Sequence, residues 1–175
     1  MPSVNGLFAA LMFAFGAYDM SENYCPTVGC LAPQEVEAYD SYSIHQNSFN
    51  GIDNGQEVYF RRKTGHANGP FENMWGLSIS TKNEFWVGYG HGMDFQIGQS
   101  PINVQLHAMT GLYRSGNGVD LGGPIEFRSG IEVQYITDQD WRLGLGWDHR
   151  SNLEIYDINP GLETAFIRLS VPIAN

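Results

Sequence analysis

The fold is decided by a stretch near the end of the chain, Trp147-Asp148-His149-Arg150-Ser151-Asn152, and by the segment after its loop, Asn159-Pro160-Gly161-Leu162-Glu163. Side chains of an extended strand alternate between its two faces. One face of residues 141–151 therefore carries Trp141, Leu143, Leu145, Trp147, His149 and Ser151, whereas the other carries Arg142, Gly144, Gly146, Asp148 and Arg150. In residues 163–173 the same alternation places Glu163 at the start of an apolar face. Both apolar faces thus end in polar groups beside the connecting loop.

This arrangement of His149, Ser151 and Glu163 favours a membrane barrel over a soluble protein. In a soluble protein the apolar faces would be buried, and burying an ionised Glu without a partner is costly. In a membrane barrel the apolar side chains face lipid and the polar ones face the lumen. We then expect the three residues together on the lipid-facing surface, near one membrane interface. Ser, His and a carboxylate are the nucleophile, base and orienting group that acyl transfer needs.

Similar alternating segments recur along the chain and are separated by turn residues, among them a turn within residues 50–55. We predict a first strand beginning near Val36, followed by strands over residues 56–64, 73–81, 84–93, 102–113, 125–135, 141–151 and 163–173. The even count fits single-chain bacterial barrels. The predicted fold class is all-β: an eight-stranded antiparallel transmembrane β-barrel of outer-membrane type, over residues 36–175.

The lengths of the connections predict how the barrel is oriented. Short turns are expected at Lys82-Asn83 and residues 137–140, and longer loops at residues 114–123 and 152–162. In outer-membrane barrels the long loops face the outside and the short turns face the periplasm. We therefore expect both short turns at the periplasmic end and the His149 cluster at the outer leaflet.

The N-terminal residues 1–18 contain an apolar run without charge, which is too short for a comfortable transmembrane helix. We interpret this segment as a signal-like leader or an anchor, with a first barrel strand as the alternative. Residues 19–35 form a polar linker that holds Cys25 and Cys30. These cysteines either form a small disulfide loop or stay as two free thiols. A metal site is not expected there, because no second Cys/His pair lies nearby.

Composition limits the classes of function but does not separate soluble proteins from membrane barrels. Hydrophobic residues make up 42% of the chain and the mean hydropathy is −0.26, values that either class can have because only alternate barrel residues meet lipid. The net charge of −10 argues against nucleic-acid binding, which needs a basic surface.

The C-terminal motifs resemble one known family. His149-Arg150-Ser151-Asn152, the turn Asn159-Pro160-Gly161 and a final strand from Glu163 to Val171-Pro172-Ile173 are similar to the PagL-type lipid A 3-O-deacylases (acyloxyacyl hydrolases). The similarity covers about residues 111–173. It implies an outer-membrane barrel of a Gram-negative bacterium, with lipopolysaccharide as substrate and His149, Ser151 and Glu163 as a catalytic triad. Arg150 departs from the aromatic or apolar residue that can stand between the family's His and Ser. By alternation it faces the lumen, where we expect Asp148, Glu126 or Glu132 to neutralise it.

Each site residue also has a simpler interpretation. Ser151, the expected nucleophile, could be a polar filler, and His149, the expected general base, an interfacial histidine. Glu163, expected to orient His149, could be a solvated carboxylate at the end of a loop. Asn152 is expected either to donate its side-chain amide to the oxyanion or only to turn the chain. Asn159-Pro160-Gly161 is expected to shape the turn that delivers Glu163.

Three functions remain open at this point. The first is a serine esterase that removes the 3-O-linked 3-hydroxyacyl chain of lipid A without metal or cofactor, in the outer membrane and with a homodimer as a further expectation. The second is a non-catalytic outer-membrane barrel with a structural or adhesive role. The third is a soluble lipocalin-like barrel that binds an apolar ligand, with its apolar faces turned inward.

Overall fold

A computed structural model describes residues 6–173, so the first five residues of the predicted leader and the last two residues of the predicted barrel domain lie outside the described part. The chain begins with helix α1 (Leu7–Asp19) and a π-helical turn (Met20–Tyr24). Eight strands follow: β1 (Pro33–Phe49), β2 (Ile52–Asn68), β3 (Phe71–Ser80), β4 (Phe85–Gln96), β5 (Ile102–Arg114), β6 (Ile125–Ile136), β7 (Arg142–Ser151) and β8 (Leu162–Ile173). Each strand is antiparallel to its neighbours, and β1 pairs with β8 to close the barrel. The predicted fold class is confirmed.

The first hairpin is longer than the sequence pattern indicated. Strand β1 begins at Pro33, ahead of Val36, and β2 begins at Ile52, which pairs with Phe49. Only Asn50 and Gly51 are left for the turn, and both have positive φ angles. An Asn-Gly pair adopts this conformation readily, which makes a tight two-residue hairpin stable. Residues 52–55, which the sequence pattern placed in the turn, are thus part of the strand.

The two faces of the barrel have opposite chemistry. Exposed apolar side chains cover the outside, among them Ile44, Val58, Leu77, Val87, Leu112, Val133, Leu145 and Ile167. Buried charged and polar side chains fill the lumen, among them Glu57, Arg61, Gln105, His107, Arg128, Glu132, Asp148, Arg150 and Arg168. This is the pattern of a barrel in a membrane. The lipocalin-like alternative is wrong, because it needs an apolar interior.

Ion pairs hold the charged lumen together. Arg128 bonds to Glu57 and to Asp148, at 2.9 Å each, and Glu57 also accepts a 2.9 Å bond from Arg150. Glu132 pairs with Arg61 and Arg168 in a second group. Buried charges are tolerated when they are paired in this way. The side chains therefore close the lumen, as expected for a barrel of only eight strands.

The orientation inferred from loop length was wrong at one turn. The turn at Lys82-Asn83 lies at the same end as the long loops, since the backbone N–H of Asn117 donates to the carbonyl of Lys82 at 2.8 Å. In an up-and-down barrel, connections that alternate along the chain lie at the same end whatever their length. We call the end that holds residues 81–84, 115–124 and 152–161 the long-loop end.

Helix α1 lies outside the barrel against β4, β5 and β6, so the alternative of a first barrel strand is wrong. Met12 and Gly16 are buried against the barrel and Phe15 packs its ring edge-on against Phe95 of β4, with ring centroids 5.7 Å apart, whereas Leu7 and Tyr18 are exposed. None of the helices within residues 6–173 is long and apolar enough to cross a membrane. In the linker that follows, Cys25 and Cys30 form a disulfide, which decides between the two alternatives for these cysteines.

Candidate active site

Strand register brings the predicted site residues together on the outside of the barrel. His149 of β7 is directly opposite Glu163 of β8, and Ser129 of β6 is directly opposite His149 on its other side. The same row continues through Ala108 of β5 to His91 of β4. Opposite residues in a sheet have their Cβ atoms about 5 Å apart, so their side chains can interact. We call these five residues the outer row.

His149 and Glu163 form a hydrogen-bonded pair within this row. Nδ1 of His149 lies 2.7 Å from Oε1 of Glu163. The other ring nitrogen, Nε2, is buried and has no hydrogen-bond partner among the residues that the structure describes. A carboxylate at Nδ1 fixes the orientation of the imidazole and leaves Nε2 able to exchange a proton.

Ser151 lies two residues beyond His149 on the same face, opposite Phe127 of β6. Both residues line one cavity of about 620 Å³ on the outside of the barrel, which we call the outer cavity. No hydrogen bond joins the Ser151 hydroxyl to the His149 ring in the described part of the chain. Such bonds often tighten only when substrate is bound. The arrangement brings a hydroxyl, an unpaired ring nitrogen and an apolar cavity to one place.

His149 and Ser151 lie on the predicted outer face of β7. We expected them to be exposed to lipid, but both are buried. Their exposed fractions are 5% and 1%, whereas Leu145 on the same face of β7 is 64% exposed. Leu153, at the start of the long loop, lines the outer cavity beside them. On the opposite side, Ala9 and Phe13 of α1 line the same cavity. This cover could not be predicted from the sequence, because α1 lies far from β7 along the chain.

Hydrogen bonds from Asn152 hold the loop over residues 152–161 in place. The Asn152 side-chain amide donates to the carbonyls of Leu121 and Ile158, at 2.7 Å each. Its backbone N–H donates to Oδ1 of Asn159 at 2.9 Å. Both side-chain amide hydrogens of Asn152 are therefore already engaged in the loop. This geometry favours its interpretation as a turn residue over that as an oxyanion donor.

Gly161 and Pro160 follow at the point where the loop returns to β8. A Cβ atom on Gly161 would overlap the imidazole of His149, so only glycine lets the chain pass this close to the ring. Leu162, the first residue of β8, is fully buried and pairs with Arg150. This turn thus delivers Glu163 to the side of His149.

Asp148 and Arg150 lie on the lumenal face of β7, as the alternation predicted, but the partner of Arg150 differs from the expected one. We expected Asp148, Glu126 or Glu132 to neutralise Arg150, but its partner is Glu57 of β2. The prediction was wrong because Glu57 reaches Arg150 across the lumen, which the pattern of one strand cannot indicate. Asp148, the other lumenal residue, pairs with Arg128 of β6. Glu126 is buried, and neither of its oxygens has a hydrogen-bond partner within residues 6–173.

Comparison with sequence models of protein families shows to which family the chain is related. The sequence model described as "Lipid A 3-O-deacylase (PagL)" matches residues 46–172, which is more than half of the chain. The chain belongs to the lipid A 3-O-deacylase family. This places it among the hydrolases that act on ester bonds. The match includes β7, the loop of residues 152–161 and Glu163, and it leaves out α1 and the disulfide loop.

Solved structures give the same fold for this member of the deacylase family. The crystal structure of the outer membrane enzyme PagL matches with a TM-score of 0.61 at 14% identity, covering 77% of this chain and 99% of that one. A de novo designed transmembrane β-barrel matches with a TM-score of 0.58 at 11% identity, covering 80% of this chain and 98% of that one. No curated protein matches. At these identities the structures show a shared outer-membrane barrel fold.

Proposed function

We propose that this protein is a serine esterase of the Gram-negative outer membrane that hydrolyses the 3-O-linked hydroxyacyl ester of lipid A. Ser151 is the nucleophile, His149 the general base and Glu163 the residue that orients His149. Family membership supports the ester and the substrate. The assignment of roles rests on this chain's own geometry.

One observation carries the proposal. Nδ1 of His149 is hydrogen-bonded to Glu163 at 2.7 Å, Nε2 has no partner within residues 6–173, and His149 and Ser151 line the same cavity. The carboxylate accepts a hydrogen bond from Nδ1–H and stabilises the imidazolium that forms when Nε2 takes a proton. A histidine that served only as an interfacial residue would not need a carboxylate partner beside a buried serine.

The chemistry follows the order of a serine hydrolase. Nε2 of His149 removes the hydroxyl proton of Ser151 while Oγ attacks the ester carbonyl carbon. The bond between that carbon and the sugar oxygen then breaks, and His149 returns the proton to this oxygen, which leaves as an alcohol. The acyl group remains on Ser151 until water, deprotonated by His149, displaces it as a fatty acid. The enzyme ends with Ser151 and His149 in their initial states.

The position of the site suits a substrate held in a membrane. His149 and Ser151 lie on the outer face of β7, where the neighbouring Leu143 and Leu145 are exposed apolar side chains. An ester at the boundary between headgroup and acyl chains can reach this face by moving within the bilayer. The site lies next to the long-loop end, which in outer-membrane barrels faces the lipopolysaccharide leaflet.

The test is mass spectrometry of lipid A from cells that express the wild type or Ser151→Ala. We expect the wild type to remove one 3-hydroxyacyl group and Ser151→Ala to remove none. Ser78→Ala is the matched control, because Ser78 is a buried serine of β3 that lies outside the outer cavity and has no role in the proposed reaction. Heat-modified migration on gels would show that each barrel is folded.

Two results would contradict the proposal. Equal deacylation by the wild type and Ser151→Ala would remove Ser151 from the mechanism. No deacylation by folded wild type, in membranes or after purification with added lipid A, would favour the non-catalytic barrel.

The homodimer stays a prediction, to be tested by light scattering of the purified protein.

A further inference from the structure

Helix α1 has the composition of a helix that stays in an apolar environment on all sides. Residues 7–18 carry no charged side chain, and the apolar side chains of Leu7, Leu11 and Phe15 are exposed, although Phe15 also packs against Phe95 of β4. A helix that is hydrophobic all round belongs in a protein core or in a membrane. Its 13 residues span about 20 Å, which is shorter than the hydrocarbon layer of about 30 Å. It therefore fits along the barrel within the apolar layer.

The helix makes close contact with the barrel near both of its ends. Phe8 packs against Trp147 of β7 with ring centroids 5.3 Å apart. At the other end Gly16 lies directly on the ring of Phe71, where a Cβ atom would overlap that ring. Small residues allow this close approach between elements in membranes. In between, Met12 is buried with Met93 and Leu106.

The outer cavity lies between these contacts and joins the helix to the candidate active site. Its roof is formed by Ala9 and Phe13 of α1, and its floor includes Ala108 and Ser129, the two small residues of the outer row. Around them lie Tyr89, His91, Thr110 and Phe127, with His149 and Ser151 at one side. Its volume of about 620 Å³ is in the range of sites that enclose small molecules.

We propose that α1 remains on the mature protein as the roof of an acyl-chain pocket, and that Ala9 and Ala108 set the length of the chain that fits. The ligand is the unbranched alkyl chain of an ester whose carbonyl lies at Ser151. Because the pocket extends along the outer row from His149 towards His91, the chain lies between helix and strands. The proposal rests on the proposed function for the identity of the ester, but the existence of the pocket does not depend on catalysis.

The helix supplies a matched pair of substitutions. Ala9 lines the cavity, whereas its neighbour Ala10 is exposed on the other side of the helix. Ala9→Trp fills the pocket, and Ala10→Trp adds the same side chain on the side away from it. We expect Ala9→Trp to lower the ratio of tetradecanoyl to butanoyl p-nitrophenyl ester hydrolysis by at least about tenfold. Ala10→Trp should leave this ratio unchanged, and an unchanged ratio in Ala9→Trp would overturn the proposal.

A second measurement does not depend on hydrolysis. The Ser151→Ala protein in phospholipid nanodiscs is exposed to a fatty acid with a diazirine near its methyl end, and labelled peptides are mapped by mass spectrometry. Saturable labelling of the segment with Ala108 and Thr110, reduced by Ala9→Trp but not by Ala10→Trp, supports the pocket even if the wild type hydrolyses no ester. Absence of such labelling overturns the pocket even if the wild type is an active esterase.

The intact mass of the full-length protein extracted from membranes tests the roof itself. A mature chain that still contains residues 7–19 is the expected result. A mature N-terminus that lies between α1 and Pro33 would overturn the proposal, because the roof would then be absent from the active protein.

Discussion

The outer and lumenal faces of β7 hold their polar residues in different ways. On the lumenal face, Asp148 and Arg150 are fixed by ion pairs to Arg128 and Glu57. On the outer face, His149 has a single partner, Glu163, and its Nε2 has none in the described part of the chain. The same strand is therefore anchored from the inside and left with a reactive group on the outside. Because its sequence neighbours Asp148 and Arg150 are held by ion pairs, the backbone of His149 has little freedom to move, while Nε2 can still exchange a proton.

The largest effect is expected from the outer face. His149→Ala removes the base that activates Ser151, so we expect kcat for ester hydrolysis to fall by about 10⁴–10⁶. Thermal unfolding of the purified barrel should change little. His66→Ala, at an exposed histidine of β2 outside the outer cavity, serves as the control and should retain kcat. Comparable losses in both variants would mean that His149 has no specific role in the reaction.

Glu163→Gln tests the orienting role with nearly unchanged shape. The amide can still hydrogen bond to His149, but it cannot stabilise the imidazolium, so kcat should fall by about 10³–10⁴ while KM stays close to the wild-type value. Steady-state kinetics with a soluble ester measure both constants. A loss of less than tenfold would make the pair with His149 structural and would weaken the contrast between the two faces.

Glu57→Gln disturbs the lumenal face alone. It leaves Arg128 and Arg150 without their shared carboxylate, and breaking a buried ion pair in this way costs roughly 3–5 kcal/mol of stability. We expect a lower midpoint of urea unfolding in lipid vesicles but a loss in kcat of less than about tenfold, because no lumenal group touches the substrate. A collapse of kcat in a protein that unfolds like the wild type would show that the lumen also takes part in catalysis.

The smallest effect is expected at the loop. Asn152→Ala removes the donor to the carbonyls of Leu121 and Ile158, at a cost of about 1–3 kcal/mol. If Asn152 is a turn residue, kcat should fall only a few-fold and proteolysis within residues 152–161 should become faster. An oxyanion donor would instead cost about 10²–10³ in kcat, and that result would reverse our interpretation of its hydrogen bonds.

The sequence predicted that His149, Ser151 and Glu163 lie together on the outer face, because this depends on local alternation and on pairing between successive strands. The other residues of the outer row were not predicted. His149 and Ser151 share a face by their spacing, and Glu163 begins the next strand after one loop. The same reasoning failed for Arg150. Its partner Glu57 lies on β2, which is not adjacent to β7 in the barrel, so no pattern within or between neighbouring strands could identify it.

The number of strands and the face on which each site residue lies could be predicted from the sequence, because they follow from the two-residue period of a strand, with apolar side chains towards lipid and charged ones towards the lumen. The depth of the site, the partners across the lumen and the position of α1 are visible only in the folded barrel. Those features depend on the closure of the barrel and on contacts such as that between Gly16 and Phe71. The order of residues along the chain does not indicate these contacts.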